Sequence, residues 1–200
     1  MKPFRVYGIS GAGSLIAEYL LALAGAEYEL ICLEKEERDG EAFRRISPTG
    51  QIPALVTPEG DAFCESLAIT LYLLERFPET GMIAPGGNPD RLQCLQWLSF
   101  LSSSLYNANL RYYYPDRFGP EDGVRPVAQA DRRTIYDLIE ARKEPYLAGE
   151  KMSAADLYLY MLLFWDETLA DELASRPRIR RIIADVGALP AVRDVMARQP

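Results

Sequence analysis

"GQIPALVTPEGDAFCESLAITLYLLERFP" (residues 50–78) is the most informative stretch of this 200-residue chain. Gly-Gln-Ile-Pro-Ala-Leu leads into two short β-type runs, Ala54–Thr57 and Asp61–Phe63, around a Pro-Glu-Gly turn, which is the pattern of a hairpin. Glu65 and Ser66 then open a helix over 65–77, with Leu67, Leu71 and Leu74 at the spacing of one apolar face. Two polar residues at a helix start can serve as simple caps. They can also offer a carboxylate and unpaired N–H groups to a ligand.

Upstream, Phe4–Ile9 reads as a strand, Ser14–Ala24 as a buried helix closed by Gly25, and Tyr28–Leu33 as a second strand. A short helix over 40–46 and a turn, "SPTG" (47–50), complete the order βαβαββα, a small α/β layer. The glycine-rich turn between the first strand and helix, "SGAGS" (10–14), resembles a dinucleotide fingerprint only in part. After Gly11 and Gly13 the third glycine position is Ile16, and no acidic ribose ligand follows at a convincing place, so the phosphate reading falls.

Downstream, proline and glycine concentrate in 79–89, which reads as a linker. Everything after it is helical. Leu92, Leu95, Leu98, Leu101 and Leu105 recur at helical spacing, 125–142 is amphipathic, and "SAAD" (153–156) resembles a capping box ahead of the apolar "LYLYMLLFW" (157–165). Two shorter helices are expected around 177–185 and from Pro190. The expected division is therefore an α/β domain over 1–78, a linker over 79–89 and an all-α domain over 90–200.

Composition narrows the function. The net charge is −7 with no basic tract, which argues against nucleic-acid or anionic-membrane partners. No apolar run has the length of a membrane span, and no leader-like apolar segment opens the sequence, so a cytoplasmic location is expected. Three scattered cysteines, Cys32, Cys64 and Cys94, suit a reducing compartment as buried small residues. There is no histidine, which excludes imidazole chemistry and removes the commonest metal ligand; no metal is expected.

Gly-x-Ile-Pro-Ala-Leu, the hairpin and the Glu-Ser-x-Ala-Ile helix start together resemble the glutathione transferase family. The resemblance extends over nearly the whole chain, through the linker, the leucine-rich helix and the Ser-x-x-Asp helix. It implies a thioredoxin-like N-terminal domain that binds glutathione and an all-α C-terminal domain that supplies most of the electrophile pocket. It further implies a cis Ile52–Pro53 bond, with the Ile52 backbone pairing with the ligand, Glu65 taking its ammonium and Ser66 its γ-glutamyl carboxylate. Gln51 and Lys35 are further candidates, Lys35 for the glycine carboxylate. The expected partners are glutathione as co-substrate, a small hydrophobic electrophile and a second copy in a homodimer.

The thiol end departs from the family pattern. Where serine- and cysteine-type members carry their reactive side chain, this sequence has Gly11, Ala12 and Gly13. The candidate catalytic hydroxyls are, in order, Ser14, Tyr7 and Ser10, with backbone amides of the turn sharing the task. Gly13, Ser103, Tyr106 and Tyr113 are candidates for the electrophile pocket, the last three from the aromatic stretch 102–118. A transferase is the leading expectation. Alternatives are a catalytically weak glutathione-binding or regulatory protein, and a glutathione-dependent isomerase or dehalogenase.

Overall fold

The computed structural model describes residues 2–166 and 168–199. They form two compact units, one comprising the chain up to Met82 together with that from Ala188 onward, the other Ile83–Gly187. The stretch from Ala188 thus returns to the first unit instead of ending the helical one expected over 90–200. Its helix α11 (Pro190–Met196) packs on α1 (Leu15–Leu23) and buries Val192 and Val195.

The first unit is built on a four-stranded sheet in the order β2-β1-β3-β4. Strand β1 (Phe4–Gly8) runs parallel to β2 (Tyr28–Cys32) and antiparallel to β3 (Ala54–Val56), and β3 forms the expected hairpin with β4 (Ala62–Cys64). Its pairings are Tyr7 with Ile31 and Ala54, and Ala54 with Cys64. Residues Leu15–Leu21 of α1 are all buried, matching a helix apolar on every side. The connection expected as one helix over 40–46 is two short ones, α2 (Lys35–Asp39) and α3 (Glu41–Arg44), because extended Gly40 breaks the chain between them. Helix α4 (Ser66–Arg76) buries Ile69, Thr70, Leu73 and Leu74. Its inward stripe is therefore Ile69 and Leu73 with Leu74, and Leu67 and Leu71 lie at the margin, since α4 faces α1 and the β3–β4 hairpin.

Cys94 is buried and Cys64 half-buried, but Cys32 is exposed, because it ends the edge strand β2. All three are free thiols.

In the second unit, α5 (Pro89–Phe100) passes through one π-helical turn (Leu101–Leu105) into α6 (Tyr106–Tyr113). Cys94, Trp97, Leu98, Leu101 and Leu105 are buried; Leu92 is exposed, since leucines spaced three apart drift round a helix of about 3.6 residues per turn and Leu92 falls on the opposite face. Helix α7 (Glu121–Glu140) buries Ala128, Arg132, Ile135, Tyr136 and Ile139, and α8 (Ala154–Phe164) forms the core. The expected cap is a full capping box: Ser153 N–H and Oγ–H both donate to Asp156, at 2.9 and 3.0 Å. Short α9 (Leu169–Leu173), unforeseen from the sequence, precedes α10 (Pro177–Ala188). No helix among the described residues is long and apolar enough to cross a membrane.

A charged cluster ties this unit together. The Arg132 guanidinium pairs with the Asp166 carboxylate at 2.6 Å, with both side chains inaccessible to solvent. Asp166 also accepts bonds from Tyr136 Oη (2.7 Å) and from Thr168 N and Oγ1 (2.9 and 2.7 Å). Burial pushes the Asp166 carboxyl up, but the bonds from Thr168 and Tyr136 and the charge of Arg132 outweigh it and hold its pKa below the usual value. Asp166→Asn leaves Arg132 buried without its counter-charge and should cost about 3–5 kcal/mol in urea unfolding at neutral pH. A depressed carboxylate stabilises the fold above its unfolded pKa of about 3.9 and loses that contribution as pH falls through the lower folded value. The difference between parent and variant should therefore shrink only at strongly acid pH.

Candidate functional site

Strand direction collects the expected glutathione-binding residues at one edge of the sheet. Parallel β1 and β2 both leave it there, so the 9–14 turn and Lys35 emerge together. Antiparallel β3 begins at that edge and β4, after the hairpin, ends there. Ala54 pairs with Cys64 at this edge, so Ile52–Pro53, just before β3, and Glu65–Ser66, just after β4, adjoin it from the two strands. Helices α1 and α4 both start at this edge, so two positive helix ends face the same space.

The Ile52–Pro53 bond is cis, as the resemblance implied. The Ile52 backbone N–H and C=O have no hydrogen-bond partner among the described residues, although its side chain packs against the Tyr7, Phe43, Ala54 and Val56 cluster. An extended peptide can pair with such a backbone as an added strand. Gln51 is exposed, and its carbonyl accepts the hydroxyl of fully buried Ser47 at 2.8 Å. Ser47 thereby fixes the approach to Ile52. Its "SPTG" context signals the turn but not this contact.

Glu65 is exposed at φ +77° and ψ +114°, the one positive-φ residue other than glycine among those described. Strain of this kind costs about 1–3 kcal/mol and concentrates at ligand sites. Ser66, the first residue of α4, is buried, and its carbonyl accepts from Thr70 Oγ1 at 2.7 Å. Lys35 is exposed at the start of α2.

The three candidate catalytic hydroxyls have separate settings. Ser14 is fully buried, and its hydroxyl donates to the Ile9 carbonyl at 3.2 Å. It sits against Gly8: a Cβ on Gly8 would stand 2.4 Å from Ser14 Cβ and Oγ. Tyr7 is a core residue of β1, its ring 5.6 Å from that of Phe43. The Ser10 hydroxyl donates to Gln199 Oε1 at 2.6 Å. Gly13 is buried. At the start of α1 the backbone N–H groups of Gly13 and Ser14 have no acceptor among the described residues, and both residues are buried, Ser14 fully. Gly8→Ala should force Ser14 or the β1 backbone to move. An unfolding titration should show a loss of about 2–4 kcal/mol.

In the second unit, Tyr106 and Tyr113 meet at Trp165. The Tyr106 ring stands edge-on to it at 5.1 Å, and the Tyr113 hydroxyl donates to its carbonyl. Arg132 lies over the Tyr112 ring at 4.5 Å, so the buried ion pair also braces this aromatic group. Ser103 is exposed in the π turn, and its hydroxyl bonds back to the Ser99 carbonyl at 2.9 Å. Among the described residues no group of three histidine, cysteine, aspartate or glutamate side chains is placed to hold a metal ion.

A thioredoxin-like sheet carrying this edge, with a separate helical unit, defines a class of glutathione-dependent proteins. The family model for the glutathione S-transferase N-terminal domain matches residues 14–76. A glutathione transferase from Methylococcus capsulatus is 30% identical, with a TM-score of 0.86 over 97% of each chain. A sphingomonad glutathione S-transferase complexed with glutathione is 27% identical, with a TM-score of 0.83 over 96% of this chain and 97% of that one. Maleylacetoacetate isomerase of Pseudomonas aeruginosa is 28% identical over 213 residues, covering 100% of this chain and 98% of its own. The chain belongs to the glutathione transferase family.

Proposed function

We propose that this chain is a glutathione transferase that joins the glutathione thiolate to a small apolar electrophile, working as a cytoplasmic homodimer. The observation that carries the reading is the sheet edge at which the cis Ile52–Pro53 bond leads into β3 and Glu65–Ser66 lead from β4 into α4, with α1 starting at the same edge. A relative with 27% identity, solved with glutathione, supports the choice of ligand.

Glutathione has two carboxylates, an ammonium and a thiol, and the edge offers a counterpart for each. Glu65 takes the ammonium. The start of α4 at Ser66 takes the γ-glutamyl carboxylate, where N–H groups and the helix dipole favour an anion. Ile52 pairs with the cysteinyl backbone, and Gln51 and Lys35 hold the glycine end. That places the sulfur towards the 9–14 turn. With the Ser14 and Ser10 hydroxyls bonded to Ile9 and Gln199 and Tyr7 packed in the core, the backbone N–H groups of Gly13 and Ser14 are the groups we assign to the thiolate. The thiol proton passes to solvent, and a sulfur lone pair forms the new C–S bond. With an aryl halide the halide departs with the bonding electrons. Gly13, lacking a side chain, leaves room beside the sulfur. Tyr106, Tyr113 and Ser103 are the proposed contacts for the electrophile, whose flat apolar character suits aromatic rings.

The likeness to maleylacetoacetate isomerase favours a second reading, a glutathione-dependent isomerase. Free thiol is consumed by conjugation and conserved by isomerisation, so a thiol assay during turnover separates the two.

Retention on glutathione resin and turnover of a generic aryl halide test the leading reading. Bound glutathione should ionise at least one unit below its ordinary value of about 8.5, read by thiolate absorbance near 240 nm. Binding with an unshifted titration and no turnover would leave only a glutathione-binding protein. Ser14→Ala should cost about 1 kcal/mol of stability with little change in thiol ionisation. Glu65→Gly should raise stability by about 1 kcal/mol, because glycine adopts positive φ freely, yet weaken glutathione at least tenfold in calorimetry.

A further inference from the structure

The 9–13 turn has little regular structure of its own, so its position depends on what grips it. On the inside, Ala12 N–H donates to the Ile9 carbonyl at 3.1 Å, and the same carbonyl accepts Ser14 Oγ. A second grip comes from a residue almost two hundred positions away in sequence. The Ser10 hydroxyl and the Gly11 N–H converge on one oxygen, Gln199 Oε1, at 2.6 and 2.7 Å. The Gln199 amide has one sensible orientation. A backbone N–H can only donate and a backbone carbonyl can only accept, and Gln199 Nε2 donates to the Val195 carbonyl at 3.1 Å while Oε1 faces Gly11.

The segment bearing Gln199 is itself anchored within the same unit. Helix α11 packs on α1, and the Tyr19 hydroxyl meets Met196 Sδ at 3.0 Å. The Arg198 guanidinium lies over the Tyr28 ring at 5.6 Å and donates to its hydroxyl. Gln199 therefore links a fixed helix to the turn that leads into α1.

We propose that Gln199 is a positioning residue for thiol activation. It holds Ser10 and Gly11 so that the N–H groups of Gly13 and Ser14, two and three residues further on, are aimed at the glutathione sulfur. The inference rests on the reading of this edge as a glutathione site. It assigns to Ser10 the task of bonding Gln199. A displacement of about 1 Å at such a turn is enough to cost up to about a hundredfold in rate.

The test compares the unaltered protein with Gln199→Met, which keeps the length but removes the acceptor, and Gln199→Glu, which keeps an acceptor oxygen. In Gln199→Met, amide exchange at Gly11 should accelerate at least tenfold, and Gln199→Glu should restore protection. With glutathione, Gln199→Met should raise the bound thiol's pKa towards its free value and lower kcat about tenfold. Glutathione affinity should stay within threefold, because Ile52, Glu65 and Ser66 belong to other segments. Unchanged Gly11 exchange in Gln199→Met overturns the proposal, and so does faster exchange with unaltered kcat and thiol ionisation. Failure of the unaltered protein to bind glutathione overturns the underlying reading and this inference with it. That failure is visible before any variant is made.

Discussion

The pairing of β1 with its two neighbours is the constraint on which the rest of this protein depends. Parallel pairing with β2 makes both strands exit at one edge, and antiparallel pairing makes β3 enter there. The tight hairpin then returns β4 to the same edge. Four chain segments distant in sequence become neighbours without any special contact between their side chains. Helices α1 and α4 start where those strands stop, so the main chain itself gives the edge its preference for anions.

On the proposed reading, that arrangement lets a chain without histidine, and with Gly11, Ala12 and Gly13 in the turn, carry thiol chemistry. Packing absorbs the hydroxyls nearest the turn. Gly8 is bare so that Ser14 can lie against it, and the Ser14 hydroxyl completes the turn through Ile9. Donors remain on the backbone, and backbone donors act only when their direction is held. Glu65 holds an unfavourable φ at the β4–α4 junction, where the proposed reading puts the ligand's ammonium.

Features encoded locally were legible in the sequence. The hairpin, the cis proline context, the Ser153–Asp156 box and the helix start at Ser66 each depend on residues within a few positions of one another. What was not legible depends on long-range packing. The true inward stripe of α4 follows from its neighbours α1 and β3–β4, and the leucine periodicity alone misplaced it. The buried face of the long helix runs through Cys94, Trp97, Leu98, Leu101 and Leu105, and the leucine spacing alone did not show that Leu92 stands in solvent. The exposure of Cys32 follows from β2 lying at the sheet edge, which composition does not reveal. Gln199 carries no motif, and its bonds to Ser10 and Gly11 became visible only with α11 packed on α1. At the candidate site the proposed binding residues could be named from the sequence because their chemistry mirrors that of glutathione. The groups proposed for the thiol end could not, since they belong to the backbone.

The most direct measurement is a crystal structure of the protein with glutathione bound. The γ-glutamyl group should lie at Glu65 and Ser66, and the sulfur within roughly 3.5 Å of the Gly13 or Ser14 amide nitrogen. A sulfur held instead by the hydroxyl of Tyr7 or Ser10, or glutathione bound away from the Ile52–Pro53 edge, would contradict it.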